Sequence, residues 1–271
     1  MEKPTESSVG DLVALAQNLI TERPPPWFRL QVWGGEISKT GTLVPQDLPS
    51  FVTDFPNLLE KLKSTGAFSA TPQGTANHII LNEYLPGQGI TPHQDGAAYH
   101  PVVATLTLGS HAVMDYYQYR EPPQITTDGL TKKSQGENSG RVIDSVPILR
   151  LLLEPRSLVI THGVLYTQHL HGISGTRYDI FAPSHVDQDI LKTKYAGEGD
   201  TVQIVSAQDI ANRGILGSQV LRDHLAQLTS SNGSLDQAGE EFRLERLTRA
   251  SLTCRVVEKT SKAAGKLLKL R

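Results

Sequence analysis

His93-Gln94-Asp95 stands just after the run Asn82-Glu83-Tyr84-Leu85-Pro86-Gly87, and further histidines follow at His162, His169 and His171. On a strand, residues i and i+2 point the same way, roughly 6.6 Å apart along the chain, so His93 and Asp95 can converge on one ion. Two imidazoles and one carboxylate on one face of a divalent metal leave its other positions open, and open positions admit chemistry. The tripeptide by itself has a plainer explanation, a surface histidine beside a turn-forming Asp95-Gly96.

Spacing alone does not choose the second imidazole. His171 is preferred because Gly172 follows it, and a residue without a Cβ lets the backbone pass close to a pocket. His169, expected on the same strand face as His171, would then be a neighbour on the substrate side, and His162 an ordinary polar histidine. A second constellation is Arg249-Ala250-Ser251-Leu252-Thr253-Cys254-Arg255. On a strand Arg249, Ser251, Thr253 and Arg255 share one face, with Leu252 and Cys254 on the other. Two guanidiniums pointing into an interior need anions, and their planar forks match carboxylates, so a dicarboxylate would answer them. An edge strand with its arginines in water is the alternative. Asn82 and Tyr84 share a face too, and an amide and a phenol can both donate to a carboxylate or keto acid.

The elements that must position these residues are mostly short strands. Runs at 78–85, 101–108, 111–119, 147–153, 157–161, 164–171 and 176–182, separated by Pro, Gly and Asp turns, predict a mainly β protein with flanking helices, a sandwich or double-stranded β-helix. Helical spacing appears at Leu12, Leu15, Ala16 and Leu19 ahead of Pro24-Pro25-Pro26, and again over 51–64 in Phe51, Phe55, Leu58, Leu59 and Leu62. Trp27 to Trp33 reads as extended, stopped by Gly34-Gly35. Two stretches interrupt the strands: a polar loop at 121–144 and a longer insertion at 184–243, within which Ile215, Val220, Leu221, Leu225 and Leu228 allow a helix. A last strand is expected over roughly 246–257. The tail from 259 to 271 carries Lys259, Lys262, Lys266, Lys269 and Arg271 and reads as a frayed, solvated helix.

The chain has 271 residues, 38% hydrophobic and 20% charged, with 23 Gly and 16 Pro, which fits one globular, turn-rich domain over 1–271 and neither a disordered nor a fibrous chain. A formal charge of -2 supplies no global field for nucleic acid, so any such binding must use a local patch. One cysteine, Cys254, cannot form an internal disulfide and suits a reducing compartment. With no apolar stretch of about 18 residues and no basic-apolar start, the reading is a chain of the cytoplasm, the nucleus or both, acting as a monomer without a membrane.

Taken together, Asn82-x-Tyr84-x-x-Gly87, His93-x-Asp95, His171-Gly172-Ile173 and Arg249-x5-Arg255 resemble the AlkB-like family of Fe(II)- and 2-oxoglutarate-dependent dioxygenases. The phrases Leu30-Gln31-Val32-Trp33-Gly34-Gly35, Gly89 to Gly96 and Ser251-Leu252-Thr253 look most like its subgroup called AlkB homologue six. The resemblance covers about residues 29–183 and 244–257. It implies a jelly roll whose Fe(II) is held by His93, Asp95 and His171, which act catalytically through the iron. It implies further that Arg249 pairs with the distal carboxylate of 2-oxoglutarate, that Asn82 and Tyr84 contact the cosubstrate, that Arg255 closes its other end, and that Ser251 lies nearby. The implied reaction consumes O2 and decarboxylates 2-oxoglutarate to succinate and CO2 while a C–H bond is hydroxylated. On an N-methyl group it would end in formaldehyde and a demethylated amine, which makes methylated RNA or DNA the expected substrate. A protein or small-molecule substrate, or a non-catalytic jelly-roll binding module, are the alternatives. Zinc is disfavoured by the single cysteine and by the paired arginines downstream. Family members usually carry more sequence before Trp-Gly-Gly, where a nucleotide-recognition lid begins. The short helix and proline triplet found there leave substrate binding less constrained than metal binding.

Overall fold

A computed structural model describes residues 30–54, 57–120, 141–196, 201–230 and 241–261. The helix expected at 11–20, residues 121–140 of the polar loop and the lysine-rich tail from 262 onward lie outside them.

Two antiparallel sheets face one another. The larger contains β1 (Leu30–Trp33), β4 (His78–Tyr84), β14 (Arg249–Arg255), β6 (Val102–Leu108) and β9 (Ser157–His162), in that order. The smaller runs β5 (Ile90–His93), β10 (Leu170–Ile173), β7 (Ala112–Tyr117), β8 (Leu149–Leu153). This non-sequential, antiparallel interleaving of two facing sheets is a jelly roll. A small hairpin of β2 (Gly35–Ile37) and β3 (Leu43–Pro45) follows the first strand.

Period-two alternation gives the larger sheet two different faces. Ile79, Ala104, Leu106, Leu108, Leu252 and Cys254 turn outward and form a core with Val52, Leu58, Leu62 and Phe68. The first three of these covering residues lie on α1 (Ser50–Thr53) and α2 (Leu58–Ser64). One helix was expected here over 51–64. There are two, because Pro56 cannot supply a helical N–H and disfavours helix in the residue before it; Asn57 then caps α2 by accepting from the Glu60 N–H at 2.9 Å.

The opposite face of the larger sheet carries Thr105, Thr107, Ser251, Thr253 and the two arginines, and it meets the smaller sheet. The Tyr116 hydroxyl on β7 lies 2.6 Å from Thr161 Oγ1 on β9, a bridge from one sheet to the other. Met114, Tyr116, Leu153 and Ile173 pack there with Val159.

Three expectations are corrected. The stretch 164–171 is not one strand: Gly163 turns with φ +60°, α3 (Gly163–Thr167) follows, and only Leu170 and His171 belong to β10. A short apolar run cannot separate helix from strand by periodicity, and the glycine turn decides it here. The stretch 184–243, read as an insertion between strands, contributes to the core through its described residues. Its strand β12 (Val202–Ser206) pairs in parallel with β11 (Tyr178–Ala182), which also pairs with β13 (Phe242–Glu245). It also contains α4 (Gln188–Ala196) and α5 (Gln219–Ser230). Leu225 and Leu228 of α5 are buried against Val113 and Leu152 of the smaller sheet, whereas Ile215 is 85% exposed. The tail, finally, does not begin as a helix. Leu43 donates to the Lys259 carbonyl and accepts from the Ser261 N–H, both at 2.8 Å, which extends the β3 edge. Among the described residues no helix is long and apolar enough to cross a membrane.

Candidate metal centre and its adjoining cleft

β10 is the strand on which the centre is built. His171 lies opposite His93 in the β5–β10 register, and the two rings stand 4.5 Å apart between centroids. Asp95, just past β5, completes a group in which ligand atoms of His93, Asp95 and His171 all lie within 4.8 Å of one another. Gly172 permits this approach: a Cβ there would sit 3.0 Å from the Pro92 nitrogen and 3.1 Å from the Ile90 carbonyl oxygen, both backbone atoms of the facing strand.

The His93 Nδ1 lies 2.9 Å from the Thr91 carbonyl. A carbonyl only accepts, so Nδ1 donates this hydrogen bond and Nε2 is the ring nitrogen left for a metal. Burial first, and the His93 ring second, pull His171 down to about 4, so that ring is a neutral imidazole at neutral pH. Asp95 presents one oxygen to Arg255, which donates to it through Nη2; its Oδ2 is buried without a hydrogen-bond partner. Two imidazoles, that of His171 held neutral by burial, and an unsatisfied carboxylate oxygen are a donor set for a divalent cation. His162 is exposed, and His169 is not on the strand face of His171: it lies before β10, with Nδ1 2.9 Å from the Val164 carbonyl. Neither belongs to the cluster.

The arginine strand runs across the facing sheet, with Arg249 opposite Tyr84, Ser251 opposite Asn82 and Arg255 opposite His78. Arg249 and Arg255 are 4% and 7% exposed, so neither faces water. Their surroundings differ. Arg255 pairs with Asp95, and the Tyr99 ring lies 4.9 Å from its guanidinium carbon. Arg249 has no carboxylate partner among the described residues: Nη2 donates to Thr107 Oγ1 at 2.9 Å, the Tyr84 ring is 5.5 Å away, and Nε is buried and unsatisfied. Burial pulls Arg249 down to about 10, which leaves it charged at neutral pH.

A narrow cleft beside Arg249 is lined by Tyr84, Gln88, His111, Ile173 and Arg246. Ile173 is two residues from His171 on β10, so the cleft begins roughly 7 Å along the strand from the histidine cluster, on the same face. Asn82 and Ser251, both expected near a cosubstrate, lie on the wall between the two arginines.

Several residues that support the centre and the cleft escape the sequence reading. Thr107 had a usable signal, since Thr105 and Thr107 interrupt the apolar strand Val102-Val103-Ala104-Thr105-Leu106-Thr107-Leu108 at alternate positions. Tyr99 and Tyr116 had none, being single aromatics in β-rich sequence. The partners of Arg246 come from β11, β12 and the loop just after β10, and are visible only after folding.

The chain is 34% identical over 213 residues to the probable RNA/DNA demethylase ALKBH6 of Danio rerio, a match spanning 73% of this chain and 80% of that protein. It is 28% identical over 142 residues to the tRNA (carboxymethyluridine(34)-5-O)-methyltransferase alkbh8 of Xenopus tropicalis, covering 52% of this chain but 18% of that longer protein. An uncharacterized protein, L905, of Acanthamoeba polyphaga mimivirus matches at 28% over 136 residues, 50% of this chain and 54% of its own length. No protein-family model matches. Among solved structures, that of OsALKBH1 aligns over 93% of this chain and 94% of its own with a TM-score of 0.40 and 15% identity.

Proposed function

Because this chain belongs to the AlkB-like family, we propose that it is an Fe(II)- and 2-oxoglutarate-dependent dioxygenase that demethylates alkylated nucleic acid, RNA or DNA, by oxidation. One observation carries the reading. A cluster of two imidazoles and a carboxylate lies on the sheet facing a buried arginine that, among the described residues, lacks a carboxylate partner, and the cleft lined by that arginine is also lined by Ile173, two residues from His171. An uncompensated interior guanidinium is costly, and an incoming carboxylate relieves that cost.

In this reading His93, Asp95 and His171 hold the iron, with Asp95 Oδ2 as the ligating oxygen because Oδ1 already accepts from Arg255. Bound there, the iron with 2-oxoglutarate and O2 would supply an oxidant for a C–H bond while the keto acid leaves as succinate and CO2. The Thr91 carbonyl fixes the His93 ring, as outer partners of metal-bound histidines commonly do. Arg255 fixes the Asp95 carboxylate from the other sheet. Arg249 receives the distal carboxylate of the cosubstrate, steadied by the Thr107 hydroxyl, while Asn82, Tyr84 and Ser251 line the path between. Burial raises the Tyr84 phenol, so it stays protonated and can donate.

Purified protein given Fe(II), ascorbate, 2-oxoglutarate and a methylated oligonucleotide should release succinate and formaldehyde together. His93→Ala or Asp95→Ala should reduce both to background. Succinate without formaldehyde would keep the dioxygenase and reject the nucleic-acid substrate. Turnover that survives both substitutions would reject the metal centre.

A further inference from the structure

Three residues before Arg249, a second arginine lines the same cleft, and it is fully compensated. Arg246 is 4% exposed. Its Nε and Nη2 donate to Asp179 Oδ2 and Oδ1, both at 2.7 Å. Nη1 donates to the Ser174 carbonyl at 2.6 Å and Nη2 also to Gln203 Oε1 at 2.8 Å. His111, another lining residue, places Nε2 2.9 Å from Asp179 Oδ2. Burial alone would raise the Asp179 carboxyl, yet the hydrogen bonds from His111 and Arg246 outweigh it and hold the group below the usual carboxylate range.

Two guanidiniums therefore stand near one cleft with one buried carboxylate behind them. Asp179 is bonded to two residues of the cleft lining, His111 and Arg246, and so lies one contact from whatever the cleft takes in. If Asp179 lacked Arg246, its charge would oppose a second carboxylate entering the cleft, with little solvent to screen the effect. We infer that Arg246 is a positioning residue that occupies Asp179, so that Arg249 remains the uncompensated cation available to an incoming carboxylate. Arg246 does this from the loop after β13. Its backbone N–H donates to the Arg177 carbonyl at 2.7 Å, and the next N–H, of Leu247, donates to Ser110 Oγ at 2.9 Å, which fixes the approach to β14. The inference rests on reading the Arg249 cleft as the 2-oxoglutarate pocket.

Calorimetric titration of 2-oxoglutarate into the full-length protein loaded with Mn(II) tests it, with folding checked by thermal melting. Arg246→Met should weaken binding about tenfold, the size of a coupling between neighbouring charges. Adding Asp179→Asn to that variant should restore affinity to within about threefold of wild type, because the competing charge is gone. Arg246→Lys, which keeps the charge and loses the fork, should also stay near wild type. If Arg246→Met does not fold, the double variant and the lysine variant carry the comparison. A double variant that fails to fold, or binds tenfold or more weakly, would overturn the inference, since Arg246 would then be structural or a direct contact. Arg249→Met separates the two readings: wild type that takes no 2-oxoglutarate sinks the pocket itself, whereas wild type that binds, Arg249→Met that does not, and a weak double variant sink the role of Arg246 alone.

Discussion

Arg249 and Arg255 have the same chemistry, lie on the same strand face and are both buried, yet among the described residues Arg255 has its anion and Arg249 does not. Their shared face was legible from alternation. Their different roles were not, because Asp95 reaches Arg255 from the facing sheet. Arg249→Met should therefore raise the KM for 2-oxoglutarate steeply, while metal affinity, measured by anaerobic titration, changes little. Equal losses in both would contradict a division of labour between the two ends. His171 adds a pH dependence. Its ring takes up protons near 6.5 in the unfolded chain and near 4 in the fold, so between those values the unfolded state binds more protons. Stability of the metal-free protein should rise with pH through that window and be lost as pH falls from about 6.5 to about 4, by at most about 3 kcal/mol. Chemical denaturation at pH 7 and pH 5 measures it, and His171→Leu should flatten the dependence. An unchanged slope would place the titration elsewhere.

At the scale of elements, the centre depends on how closely β5 and β10 approach and on how β6 supports β14. The preference for His171 over His169 came from the glycine after it, and the backbone atoms at 3.0 and 3.1 Å show why that glycine is needed. The strand assigned to His169 failed because a short run of Val, Leu, Tyr and Thr suits a helical turn as well as a strand, and Gly163 settles it in favour of the turn. Gly172→Ala should push the two strands apart, destabilise the fold by about 1–3 kcal/mol as overpacking does, and weaken metal binding beyond what the lower melting temperature explains. Metal affinity equal to wild type in the folded variant would show that the approach is slack. On the other sheet, Thr107→Val keeps the shape and removes the acceptor of Arg249. Hydrogen bonds to charged groups contribute about 1.5–3 kcal/mol, so 2-oxoglutarate should bind at least several-fold more weakly, with Thr107→Ser recovering most of the loss. No recovery with serine would mean that the methyl group, not the hydroxyl, supports the arginine.

For the molecule as a whole, the stretch 184–243 is where sequence and structure part furthest. Interruption of the strand series made it look like an addition to a finished jelly roll, because the partner faces it covers lie far away along the chain. The smaller sheet turns Val113 and Leu152 away from the centre, and without a cover these would meet water. Val205, Leu216, Leu225 and Leu228 of this stretch, with Phe181 of β11, supply the cover, so the segment completes a core that the sheet begins. The carboxylate of Glu154, just past β8, ties the two together by accepting from the N–H groups of Gly217 at 2.5 Å and Ser218 at 2.9 Å, ahead of α5. The expected helix was thus correct in Leu225 and Leu228, while Ile215, read as part of its face, is 85% exposed. That contrast makes a paired test. Leu225→Ala should cost about 2–5 kcal/mol, as for a fully buried leucine, and lower the melting temperature by several degrees. Ile215→Ser should stay within about 0.5 kcal/mol of wild type. Since the cover lies on the side of the smaller sheet opposite His171, Leu225→Ala should still bind Mn(II) with wild-type affinity well below its own melting temperature. Loss of metal affinity at a temperature where the variant is fully folded would show that the cover acts on the centre and does more than stabilise the sheet that carries it.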